Sequence, residues 1–342
     1  MRAFITGLGG TVLADKERGF LREAQPWGII LFGRNVAGAD GVRRLVDDVR
    51  STLGRDAPVL IDQEGGRVQR LGPPDWPAYP PGAAYGALYE RDREAGLAAA
   101  RLGARLIAAD LTALGIDVDC MPIADVPVAG ADPVVGDRAY GTQPDKVAAI
   151  AGAVAEGLME GGVLPVLKHI PGHGRATADS HAGLPVVDTD RATLDATDFA
   201  AFRSLAALPL AMTAHVVFSA IDPLAPATVS ATIVREVIRD SIGFQGLLMT
   251  DDISMGALSG SLGERAGAAI AAGCDLVLHC NGDLSEMLAV AAASPLLAGT
   301  AARRAANALA ARRAPLPLDG AAARARFSSL MSGVRQRAQG YA

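Results

Sequence analysis

The chain has 342 residues, half of them apolar, 4% aromatic and 20% charged, which is globular composition with ample material for a large core. Its formal net charge is −5 and no long Lys/Arg block appears, which argues against nucleic acid or an anionic membrane as a partner. Glycines begin at Gly7, too early for a secretory leader. No apolar run reaches the ~18 residues needed to cross a bilayer, and the expected compartment is the cytoplasm.

In chain order, short apolar runs fall at Ala3 to Gly7, Gly28 to Phe32, Val59 to Ile61, Ile116 to Met121, Leu164 to Leu167, Leu208 to Thr213, Gly246 to Met249 and Asp275 to Leu278. Each is short enough for a strand buried on both faces. Between them lie Ala- and Leu-rich stretches with helical spacing: Glu90 to Leu114, Lys146 to Glu160, Val229 to Arg239 and Glu264 to Ala272. Eight strand/helix units predict a (β/α)8 barrel in a single domain over 1–342. The Ala/Arg-rich helices from about 300 to 342 would be packed on it or partly loose. A doubly wound open sheet is the rival. The glycines at Gly7, Gly9 and Gly10 invite a dinucleotide site, but the second strand ends in Leu31-Phe32-Gly33-Arg34 without the acidic residue that holds a ribose.

Asp62, Asp119, Lys168, His169, His215, Asp251 and His279 all stand at or just beyond the C-terminal ends of these runs, the rim where a barrel gathers its active site. Three of the five histidines lie between positions 169 and 181, in a segment whose Pro171, Gly172 and Gly174 impose an irregular backbone. Asp179 and His181 can share one face of that segment, with the carboxylate orienting the imidazole and stabilising its charge, which is an acid/base dyad in outline. The alternative is a loop merely braced by Asp179. Thr250-Asp251-Asp252 delivers two adjacent carboxylates off a strand, and alternation lets only one face the axis; the other is free to cap the following helix. Asp62 and Arg70 are equally readable as a grip on vicinal hydroxyls or as an ion-paired loop. Cys120, Cys274 and Cys280 are odd in number and lie in or beside apolar runs, which fits reduced thiols better than a disulfide framework.

In these residues the chain resembles the bacterial cytosolic β-N-acetylglucosaminidases of glycoside hydrolase family 3, enzymes of peptidoglycan recycling. The resemblance rests on Leu31 to Asn35, Asp62 to Arg70, Lys168 to Gly174, Asp179-Ser180-His181, Met212 to His215 and Thr250 to Asp252, in the family's order and over about residues 28 to 282. It implies a (β/α)8 barrel with Asp251 as nucleophile, His181 as acid/base and Asp179 as its support. Asp62, Arg70, Arg138, Lys168 and His169 fall on the family's sugar-binding positions. Ile170 stands where many relatives have Phe, and Thr250 and Ile253 replace a common Ser and Leu, departures that touch the shape of the pocket.

The resemblance implies a retaining exo-β-N-acetylglucosaminidase. It would act as a monomer, without metal or cofactor, on a small sugar or muropeptide substrate. A phosphorylase using the same nucleophile is an alternative, since a histidine acid/base does not repel phosphate. A metal-dependent hydrolase with His169, His173, His181 and Asp179 as ligands is another, although the glycines and proline deny these residues the helical i, i+4 geometry.

Overall fold

The computed structural model describes residues 1–180 and 183–332. Eight strands line a closed barrel: β1 (Arg2–Gly7), β2 (Pro26–Leu31), β3 (Val59–Ile61), β4 (Val118–Asp119), β5 (Leu164–Ile170), β6 (Leu210–Thr213), β7 (Leu247–Asp252) and β8 (Leu276–His279). Each pairs in parallel with the next, and β8 returns to β1 through Phe4 opposite Val277 and Ile5 opposite Leu278. The closed (β/α)8 barrel is thus the architecture, and the open sheet is excluded. All eight expected strands are present; the fourth is shorter than its apolar run.

The helices differ in detail from expectation. The stretch expected as one helix from Glu90 is two, Gly82–Arg91 and Arg93–Thr112. Asp92 interrupts it with extended backbone, its side chain accepting a hydrogen bond from Ala95 N at 3.0 Å. An aspartate does this readily, because its carboxylate satisfies an N–H that the new helix leaves unpaired. The helix expected from Val229 begins later, at Ile233, where Ser230 Oγ accepts from Ile233 N.

Side chains alternate along each strand, and this divides the core in two. Ile5, Leu60, Val166, Met249 and Leu278 point inward and form one buried cluster that fills the barrel. Phe4, Ile61, Leu167, Leu248 and Val277 point outward under the helices. The inward phase, carried one step further along each strand, runs from Ile30 to Phe32, Leu60 to Asp62, Val166 to Lys168, Met249 to Asp251 and Leu278 to Cys280. The last layer of the barrel therefore brings in the charged groups Asp62, Lys168 and Asp251 beside Phe32 and Cys280, where the lower layers are apolar.

The opposite end is closed by the helix Gly299–Ala310, whose Ala305 and Ala308 join the inward cluster. Alanines three apart share a helix face and let the helix approach the strand ends closely. Asp275 anchors this end, accepting from Leu248 N, Arg239 and Arg304 at 2.9 to 3.1 Å. The tail is packed rather than loose as far as it is described: Leu316 N donates to Glu160 O at 2.8 Å, and the helix Gly320–Met331 sets Phe327 against Tyr79 and Tyr85. Among the described residues no helix is long and apolar enough to cross a membrane.

Putting a charge on this floor should be far more damaging than putting one beside it. Ala308→Asp is expected to lower stability by about 2–4 kcal/mol, whereas Ala306→Asp, on the exposed face of the same helix, should stay within about 0.5 kcal/mol. Urea unfolding of the two variants makes the comparison.

Candidate active site

The polar layer opens into a cavity of about 310 Å³ at the C-terminal end of the barrel, lined by Phe32, Asp62, Glu64, Arg70, Arg138, Lys168, His169, Asp179, Met212, Asp251 and Cys280, among others. A larger cavity of about 420 Å³ lies at the other end around Arg50, Asp117 and Arg312. There Arg50 and Arg312 are each paired with Asp56 and Asp117. The smaller cavity is the candidate site because it gathers residues from the C-terminal ends of the strands, Lys168, His169 and Asp251 among them.

Five charges of alternating sign form a row along one wall. Arg70 donates to Asp62 Oδ2 at 3.0 Å, and Lys168 Nζ donates to Asp62 Oδ1 at 3.0 Å. The same Nζ lies 2.7 Å from Glu64 Oε1, and Arg138 clasps Glu64 with two hydrogen bonds of 2.8 and 2.9 Å. Burial alone would raise the Asp62 carboxyl, but the charges of Lys168 and Arg70 hold it well below the usual carboxylate range. Burial likewise works against the Lys168 ammonium, yet Asp62 and Glu64 outweigh it and keep it protonated.

The loop after β3 presents these groups because it doubles back as a hairpin, Gln63–Gly65 against Val68–Gln69. Gln63 Oε1 accepts from Arg70 N and Leu71 N, while its own N–H goes to Asp119. Gly65 turns the chain at φ 95°, where a Cβ would lie 2.4 Å from Pro80 O. Phe32 supports the row from below, with the Arg70 guanidinium 5.2 Å from its ring.

Lys168 and His169 both reach the cavity although neighbours on a strand should face opposite ways. The β5–β6 register shifts between Lys168 and Ile170; such an irregularity re-aims side chains at the mouths of barrels. His169 Nδ1 is 2.7 Å from Asp125 Oδ2, and Asp125 Oδ1 accepts from the backbone of His169 and His173. Asp125 is fully buried. Burial would raise its carboxyl, but His169 and His173 bring it down to about 2.

Of the paired carboxylates, Asp251 continues the inward phase of Met249 and lines the cavity, whereas Asp252 also turns to local structure. It accepts from Ser254 and from Cys280 N. Burial raises the Asp251 carboxyl, and the charges of His169 and His215, together with the Asp252 N–H, bring it below its ordinary range. It is ionised near neutral pH.

Three expected rim residues do not line the cavity. Asp119 is out of phase with Val118 and Cys120 and holds Gln63 N instead. His279 follows inward-facing Leu278, points outward and pairs with Glu286 at 2.8 Å. His215 is buried between Thr228 Oγ1 and the Asp252 carbonyl. Arg34 and Asn35 tie down the first loop by donating to the Leu8 carbonyl, with Asn35 also reaching Gly10, and Gly7 serves close packing, since a Cβ there would lie 2.2 Å from the Cys280 carbonyl oxygen. Asp179 is half-buried on the cavity wall; His181 lies outside the described residues. Among the described residues no three His, Cys, Asp or Glu side chains take metal-binding geometry.

Two groups escaped the sequence reading. Glu64 shares the phase of Asp62 and so carried a signal. Asp125, six residues beyond β4, carried none.

Residues 9–311 match the glycosyl hydrolase family 3 N-terminal domain. The chain belongs to that family. It is 39% identical to a β-hexosaminidase of Alkalilimnicola ehrlichii over 80% of this chain and 79% of that one. Among solved structures it superposes on NagZ from Neisseria gonorrhoeae in complex with N-trifluoroacetyl-D-glucosamine with a TM-score of 0.86, at 29% identity over 97% of this chain and 98% of that one. It also superposes on a family 3 β-N-acetylglucosaminidase from Paenibacillus sp. with a TM-score of 0.84, at 29% identity over 96% of this chain and 67% of that one.

Because Asp125 is depressed in the folded state, the stability it contributes is present above the unfolded carboxyl's pKa near 3.9 and disappears as pH falls towards 2. Asp125→Asn should be less stable than the parent by ~2 kcal/mol at pH 7. The gap should narrow once pH drops below about 4, as measured by urea unfolding at a series of pH values.

Proposed function

We propose that the protein is an exo-acting, retaining β-N-acetylglucosaminidase. The observation that carries this reading is an ionised carboxylate, Asp251, sharing one small cavity with the row Arg70–Asp62–Lys168–Glu64–Arg138. The first can attack a sugar carbon; the second offers both donors and acceptors, which a ring bearing several hydroxyls requires. Family membership and the names of the similar proteins favour a β-linked N-acetylhexosamine.

In the first step an Asp251 oxygen bonds to the anomeric carbon as the glycosidic C–O bond breaks, and His181, protonated, gives its proton to the departing oxygen. In the second, His181 takes a proton from water, the water oxygen bonds to the anomeric carbon, and Asp251 leaves with its bonding pair. A histidine suits this exchange, since an unperturbed imidazole titrates near pH 6.5 and can serve as acid and then as base near neutrality. Asp179 orients the imidazole. Asp62, Arg70, Arg138, Lys168 and His169 hold the terminal sugar, and the charge-assisted hydrogen bonds of that row fix its orientation.

The substrate we assign is a non-reducing terminal GlcNAc on a cell-wall-derived muropeptide, released by a monomer in the cytoplasm during peptidoglycan recycling. This finer assignment rests on the resemblance in the active-site segments.

An aryl β-N-acetylglucosaminide tests the chemistry. Asp251→Ala should lower kcat by more than about 10⁴-fold, and His181→Ala by about 10²–10⁴-fold on a poor leaving group. Turnover should be indifferent to chelator and to phosphate. A requirement for phosphate would make the enzyme a phosphorylase, and an active Asp251→Ala would remove the nucleophile from this scheme. Arg70→Ala should lower kcat as well as kcat/KM if its contacts tighten in the transition state; a rise in KM alone would assign it to ground-state binding.

A further inference from the structure

The helix Gly320–Met331 is far in sequence from the cavity, yet one of its side chains meets the supports of both ends of the charged row. The Phe327 ring lies 6.4 Å, centroid to centroid, from Tyr79 and the same distance from Tyr85. Gly103, on the helix Arg93–Thr112, leaves room for this trio: a Cβ there would lie 2.5 Å from Tyr85 Oη and 2.9 Å from Phe327 Cε2. Arg324, on the same face as Phe327, donates to Asp110 Oδ1 at 2.7 Å and to Tyr79 Oη at 3.3 Å, while Tyr79 Oη donates to Asp110 Oδ2 at 2.6 Å.

Each tyrosine leads to one end of the row. The Tyr79 carbonyl accepts from Gly66 N and its N–H donates to Gln69 Oε1, both at 2.9 Å, so it is bonded to the hairpin that delivers Asp62, Glu64 and Arg70. Tyr85 belongs to the helix Gly82–Arg91, which rests directly on the backbone that carries Arg138. A Cβ on Gly82 would lie 2.1 Å from the Arg138 carbonyl oxygen, and one on Gly86 2.0 Å from that of Tyr140.

We infer that Phe327 is a positioning residue: packed against Tyr79 and Tyr85, it sets the spacing of the Arg70 hairpin and the Arg138 loop, and so the width of the wall that receives the terminal sugar. The inference rests on the proposed glycosidase reading, which makes that wall the sugar site. Lys168 joins the two segments inside the barrel through Asp62 and Glu64, and Phe327 joins their supports on the helix side of the core. Aromatic contacts of this kind hold a preferred geometry, and a displacement of about 1 Å caused far from the chemistry is enough to cost up to ~10²-fold.

Two measurements on the full chain test this: inhibition of aryl glycoside hydrolysis by free N-acetylglucosamine, and amide hydrogen exchange, which reads local opening without reference to activity. Phe327→Ala should raise the inhibition constant about tenfold, roughly the worth of one hydrogen bond. It should also speed exchange in Gln63–Leu71 and Gly82–Arg91 while leaving Leu247–Met249 at the parent rate. Gly103→Ala, which displaces both rings without removing either, should act in the same sense, and Phe327→Leu, which still fills the space, should recover most of the binding. Ala308→Asp, which weakens the barrel floor instead, should keep the parent's inhibition constant. An unchanged inhibition constant in Phe327→Ala, or unchanged exchange in either segment, would overturn the positioning role. Asp251→Ala is assayed alongside: activity there would overturn the glycosidase reading itself, whereas an inactive Asp251→Ala with parental binding and exchange in Phe327→Ala would overturn the positioning role alone.

Discussion

A lysine ammonium with 3% of its side chain exposed is the constraint around which the site is assembled. An isolated charge at that depth is prohibitively costly, so Lys168 requires Asp62 and Glu64. Two carboxylates around one ammonium leave an excess of negative charge, and Arg70 and Arg138 offset it from either end. The five groups come from three separated stretches of chain, yet each neutralises its neighbour. Removing an inner member would leave two buried charges facing one another. The charged wall of the cavity is therefore also a folding constraint, and its rigidity is inherited from the need to bury charge in pairs.

The same logic extends behind His169. Asp125 accepts from that ring and from the backbone of His169 and His173, so one carboxylate organises an irregular strand end that no regular ladder could stabilise. The Asp251 carboxyl, beside His169 and His215, in turn lies below its ordinary range. The charged wall and Asp251 are electrostatically linked across the mouth of the barrel, although they belong to different strands.

Much of this was legible in the sequence because barrels obey a period of two. The runs at Val59, Leu164, Leu208, Gly246 and Asp275 announced strands, and the position of polar residues at their ends announced the rim. Phase was the information left unused. Counting alternate residues back from Asp251 and Lys168 reaches Met249 and Val166, both inward, whereas His279 and Asp119 fall on the outward phase and serve packing. Asp125 could not be read this way, since it acts across a separation of 44 residues from a loop with no periodicity. The break at Asp92 was hidden for another reason: helical spacing of apolar residues continues across it, and only the capping carboxylate marks the boundary.

The helix that closes the barrel floor bears on the order of events. With Ala305 and Ala308 beneath and layers of Leu, Val and Met filling the interior, the cavity is closed towards the floor, and among the described residues its entrance lies at the C-terminal end of the strands. Under the proposed chemistry the aglycone sits nearer that entrance than the sugar, and the sugar remains esterified to Asp251 after the aglycone has gone. The incoming water must use the space the aglycone vacates, and the sugar must depart last. Free sugar would then re-enter the same unoccupied well that the substrate seeks, competing with it directly, so a closed floor at one end of the fold sets the pattern of product inhibition at the other.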